Sequence, residues 1–151
     1  MDQSKNSIIS NGMNPVVHFE MPAEDMSRMK TFYETAFGWK TKQLGPDMGD
    51  YVVVMTSPGD PHDPTGRPSQ PGVINGGFYK RNNDPLSAHP SFVISVPDVM
   101  KAMDKVKEAG GTIIGGHKKD GTPDEIPGVG LFASVIDTEG NRVSLLQPKG
   151  M

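Results

Sequence analysis

Val16-Val17-His18-Phe19-Glu20-Met21-Pro22, followed by Asp25-Met26, Met29, Phe32-Tyr33 and Ala36-Phe37-Gly38, is the stretch from which the fold follows. The first part reads as a strand closed by Pro22. Alternation puts His18 and Glu20 on one face, and Val17, Phe19 and Met21 on the other. Asp25 is suited to cap a helix, and the apolar residues after it recur at spacings of three and four. Ser27, Lys30, Thr31 and Glu34 occupy the opposite face. Gly38 provides a left-handed stop, and Trp39 reads as a core anchor.

Working outward, three strands fit at Lys40–Leu44, Tyr51–Thr56 and Val73–Lys80. Between the last two, Ser57–Gly72 carries Pro58, Pro61, Pro64, Pro68 and Pro71, a density that neither helix nor ladder survives. This loop reads equally as a functional lid or a tolerated insertion. The opening pattern then returns. Ser91–Val96 reads as a strand closed by Pro97. Asp98 caps a helix with Val99, Ala102, Met103, Val106 and Ala109 as its stripe, and Gly110-Gly111 ends it. Strands follow at Thr112–Gly115, Gly130–Ile136 and Arg142–Gln147, with a loop over Gly116–Gly128. Residues 1–13 are polar and read as a disordered tail. The expectation is an α+β domain over 14–148, with a βαβββ module in 14–82 and another in 89–148. Each helix covers one face of a curved mixed half-sheet, and the two half-sheets enclose a cavity suited to a small molecule.

Lys+Arg is 15 and Asp+Glu 18, a net charge of −3. That balance argues against nucleic acid or an anionic membrane as partner. The chain has no cysteine, which excludes disulfides, thiolate metal sites and cysteine nucleophiles. No signal peptide or membrane-length apolar run is visible, so the expected location is the cytoplasm. The 10 methionines read as flexible core filler. Gly-rich phosphate cradles are absent, because Gly110-Gly111 follows a helix instead of opening one.

The order of these motifs resembles the vicinal-oxygen-chelate superfamily, which includes glyoxalase I, bleomycin-resistance proteins and extradiol dioxygenases. The resemblance is carried by His18, Asp25-Met26, Phe32-Tyr33 and Phe37-Gly38-Trp39. In the second half it is carried by Ser95-Val96, Gly110-Gly111, Ile126-Pro127-Gly128-Val129-Gly130 and the turn Asp137-Thr138-Glu139-Gly140-Asn141-Arg142. Gly72-Val73-Ile74-Asn75-Gly76-Gly77 is similar to a branch related to lactoylglutathione lyase. The resemblance implies four ligand positions, one from the first and one from the last strand of each half. They fall on His18, on Asn75 within a residue, on Ser91 and on Ser144. Of these only His18 is a good metal ligand, with Glu20 beside it, whereas a catalytic transition metal needs three His, Asp or Glu donors. No metal or other cofactor is therefore expected. His62, His89 and His117 read as surface residues, His89 lying nearest the pocket strand.

His18 and Glu20 sit about 6.5–7 Å apart at Cα on a shared face. They are candidates for acid–base work beside a carbonyl, or for closing a pocket wall. Asn75, Ser91 and Ser144 would supply neutral hydrogen-bonding groups for a ligand. The leading expectation is a small-molecule binding domain with a degenerate metal site, assembled as a homodimer. The alternative is a metal-independent isomerase or lyase using Glu20 and His18, and a metal-dependent glyoxalase or dioxygenase comes third.

Overall fold

The computed structural model describes residues 12–59, 70–118 and 120–150. Most of the expected tail and the middle of the Pro-rich loop, with His62, lie outside them. The order is β1 (Val16–Ala23), α1 (Met26–Phe37), β2 (Lys40–Gln43), β3 (Val52–Met55), β4 (Asn75–Lys80), β5 (Ser91–Ser95), α2 (Val99–Glu108), β6 (Thr112–Gly115), β7 (Asp124–Ile126), β8 (Gly130–Ile136) and β9 (Arg142–Pro148). The architecture is α+β, with mixed strand pairing and one helix in each half.

The chain divides into two compact units. One is Val17–Ser91, and the other runs from Phe92 and includes the described residues up to Val16. In the first, strands follow the order β2-β3-β4-β1, with β1 and β4 parallel and the other pairs antiparallel. In the second the order is β5-β9-β8-β6, with β5 and β9 parallel. Each unit therefore closes its strand–helix crossover with a parallel pair.

Both helices begin where the sequence places a cap. The Asp25 carboxylate accepts from Arg28 N–H at 3.0 Å, and Asp98 accepts from Lys101 N–H at 3.1 Å. Gly38, with φ of 72°, stops α1 in the left-handed conformation that a side chain would strain. The helix-covered face of the first unit is built on Val52, Val54 and Phe78, with Phe19, Met21, Met26, Met29, Tyr33 and Trp39 packed on them. The second core gathers Val96, Val99, Met103, Ala133, Val135 and Leu145.

Three differences from the sequence reading are local. β1 continues through Pro22, which pairs with Tyr79, to Ala23. In a parallel ladder only alternate residues donate to a given neighbour, so a missing N–H is tolerated there. A short β7 lies inside the expected Gly116–Gly128 loop. It pairs with Gly130, Leu131 and Phe132 of β8, while β6 pairs with Ser134, Val135 and Ile136, so the two share one edge of β8 end to end. Finally, Phe32 and Phe37, assigned to the apolar stripe of α1, are 57% and 62% exposed. Tyr33 and Trp39 stack beneath them at 4.8 Å. Among the described residues, neither helix is long and apolar enough to cross a membrane.

Candidate functional site

The β1–β4 register pairs His18 with Asn75 and Glu20 with Gly77, and the β3–β4 register pairs Val53 with Gly77. Paired residues share a face, so His18, Glu20, Asn75 and Val53 all lie on the side of the first unit turned away from α1. The core residues Phe19, Met21, Val52, Val54 and Phe78 alternate with them on the helix side.

Tyr51, one residue before β3, completes this face. Its hydroxyl lies 3.0 Å from His18 Nε2 and donates to Glu20 Oε2 at 3.2 Å. Gly77 makes room for it: a Cβ there would lie 1.7 Å from the tyrosine oxygen and 2.0 Å from Cζ. Gly76 does the same on the other face, where a Cβ would meet the Phe19 ring at 2.5 Å. The glycine pair thus admits two aromatic rings. Burial, then the charge and the hydrogen bond of Glu20, push the Tyr51 hydroxyl far above its ordinary range, so it keeps its proton. Burial also lowers the His18 pKa and favours the neutral ring. With the tyrosine proton committed to Glu20, the His18 contact requires an Nε2–H donor. The ring is therefore held in one tautomer, with Nδ1 as the acceptor nitrogen.

Asn75 shares the face, but its side-chain oxygen accepts from Thr56 N–H at 3.1 Å. Thr56 Oγ1 in turn donates to the Ile74 carbonyl at 2.6 Å. Together they clasp the exit of β3 to the entry of β4, at the two ends of the Pro-rich loop. In the second unit Ser144 is fully buried on the face away from α2, with its Oγ 3.3 Å from Ser134 Oγ. Ser91, at the start of β5, is 8% exposed, and its Oγ has no hydrogen-bond partner among the described residues. Replacing it costs no hydrogen bond to the described residues. Ser91→Ala should leave the thermal midpoint unchanged or raise it, by up to about 1 kcal/mol of stability. A loss above about 1 kcal/mol in urea denaturation would show that the hydroxyl is satisfied after all.

His117 and His89 are exposed. His117 Nδ1 contacts Asp124 Oδ1 at 2.6 Å, and the His89 carbonyl accepts from the Tyr79 hydroxyl at 3.2 Å. Among the described residues no three His, Cys, Asp or Glu side chains come together as a metal site. Sequence reasoning missed Tyr51. The signal was there in part: Tyr51, Val53 and Met55 alternate onto the face that Gly77 leaves bare.

The family model of the Glyoxalase/Bleomycin resistance protein/Dioxygenase superfamily matches residues 16–145. The chain belongs to that superfamily. No curated relative matches the sequence. Among solved structures, a hypothetical protein from Bacillus halodurans is 13% identical with a TM-score of 0.61, covering 91% of this chain and 96% of that one. A glyoxalase/bleomycin resistance protein/dioxygenase superfamily member from Vibrio splendidus is 16% identical with a TM-score of 0.55, covering 89% and 99%. Streptomyces coelicolor methylmalonyl-CoA epimerase, in complex with 2-nitronate-propionyl-CoA, is 12% identical with a TM-score of 0.60, covering 92% and 97%. At these identities the likeness is one of fold.

Proposed function

We propose that the chain is a small-molecule binding domain of the glyoxalase/bleomycin-resistance type with a degenerate metal site, and that it works without a resident transition metal. The observation that carries this reading is the Tyr51 hydroxyl placed between His18 and Glu20. The two side chains best suited to ligate a metal or move a proton are already hydrogen-bonded to a protein group. The other candidates do not fit a metal either. The Asn75 oxygen is turned to Thr56, and Ser91 and Ser144 offer only neutral hydroxyls. A neutral imidazole, a protonated phenol and one carboxylate on a half-buried face suit recognition of a weakly polar organic ligand.

Two measurements test this. Elemental analysis of the purified protein should find far less than one Zn, Ni, Fe or Mn per chain. Close to one per chain, lost in His18→Ala, would overturn the metal-free reading. A thermal-shift screen of uncharged and weakly polar organic compounds should find saturable stabilisers, approaching about 2.7 kcal/mol at one hundred times Kd. Val53→Arg, which fills the same face from an exposed position, should abolish the shift. Turnover of such a compound that Glu20→Gln removes while binding persists would replace this reading with the acid–base one.

A further inference from the structure

The internal repeat gives a register that the family resemblance alone does not. His18 and Ser91 stand equally far before their helix caps, Asp25 and Asp98, and so do Glu20 and Val93. Glu20 pairs with Gly77, and Val93 pairs with Ser144. The first-half counterpart of Ser144 is therefore Gly77, not Asn75, and Gly77 has no donor to offer.

We infer that Tyr51 and Gly77 are a matched pair that determines what this face accepts: the tyrosine hydroxyl is a built-in occupant of the place where a donor at position 77 would otherwise join His18 and Glu20 around a cation. This rests on the binding reading above and gives its metal-free character a physical cause. The two states exclude each other, because a Cβ at position 77 would lie 1.7 Å from the tyrosine oxygen. A side chain there and the ring at Tyr51 cannot share the space. The distances also favour a hydroxyl over an ion. His18 Nε2 and Glu20 Oε2 stand 3.0 and 3.2 Å from the oxygen, which are hydrogen-bond lengths. Zinc would need about 2.0–2.2 Å to each. Tyr51 therefore holds both donors through one hydroxyl, accepting from His18 and donating to Glu20.

The test is a substitution cycle on the full chain: Tyr51→Ala, Gly77→His, the double variant, and the double variant carrying His18→Ala. Gly77→His alone should lower the thermal midpoint sharply, and the same substitution in the Tyr51→Ala background should lower it much less. The double variant should bind cobalt(II) at least about 100-fold more tightly than the parent, with a ligand-field absorption band, and lose both with His18→Ala. A folded double variant that binds cobalt no better than the parent would overturn the inference. So would equal losses of midpoint in the two backgrounds. If the double variant does not fold, Gly77→Ala with and without Tyr51→Ala reads the same exclusion, and equal losses there overturn it. Metal found in the parent would instead sink the metal-free reading itself, an outcome that the midpoint cycle does not touch.

Discussion

Phe78→Ala should cost about 3–5 kcal/mol, out of a total stability of about 5–15 kcal/mol for a domain of this kind. Phe78 is fully buried in β4, paired with Val52 of β3 and Met21 of β1, with the Tyr33 ring 5.4 Å away. The pocket left behind is walled by Tyr33 on α1 and by neighbouring strands, so little can collapse into it. Urea denaturation followed by circular dichroism reads the loss as a lower midpoint at unchanged slope. Phe32→Ala deletes the same ring at an exposed position and should cost under about 1 kcal/mol. Equal losses from the two substitutions would show that burial in the first core does not govern stability. Phe78 also sits next to Gly77, so its loss loosens the strand on which the candidate site is built.

Tyr51→Phe should cost about 1–3 kcal/mol, although it removes a single oxygen. The ring stays over Gly77, so the loss does not come from packing. It comes from the His18 N–H and the Glu20 oxygen, each half-buried and deprived of the hydroxyl between them. The imidazole also loses the contact that fixes its tautomer, so its ring nitrogen resonances should move toward a mixture of tautomers at neutral pH. A variant with the parent's midpoint and unchanged imidazole shifts would mean that the hydroxyl is idle. A lowered midpoint with unchanged shifts would mean that the tautomer is held from elsewhere.

The elements were legible because the signals are local. Asp25 and Asp98 are caps, Gly38 is a stop, and the alternation around His18 requires only neighbours in sequence. β7 escaped because Asp124-Glu125-Ile126 has little strand character of its own. It pairs because β6 ends at a bulge near Gly115 and leaves the rest of β8's edge open. The exposure of Phe32 and Phe37 escaped for another reason. Helical periodicity gives the direction of a stripe, not how far the sheet beneath it extends. In the site, alternation assigned His18 and Glu20 to one face and the resemblance put Asn75, within a residue, beside them; the β1–β4 register pairs His18 with Asn75. What alternation could not supply was the offset between β3 and β4. That offset sets Tyr51 over Gly77 and leaves Asn75 to hold Thr56.

In the first unit the order β2-β3-β4-β1 leaves β2 at an edge, and in the second the order β5-β9-β8-β6 leaves β6 at one, with β7 beside it along β8. β2 is Lys40-Thr41-Lys42-Gln43, and a strand arriving from another molecule would meet lysines along its short length. In the second unit the edge along β8 is broken into two pieces by the bulge at Ile113/Gly115. Among the described residues, neither of these two edges presents a long, flat, apolar row of free backbone groups. These two edges thereby discourage pairing with a strand from another molecule, and they do so with residues outside the candidate site.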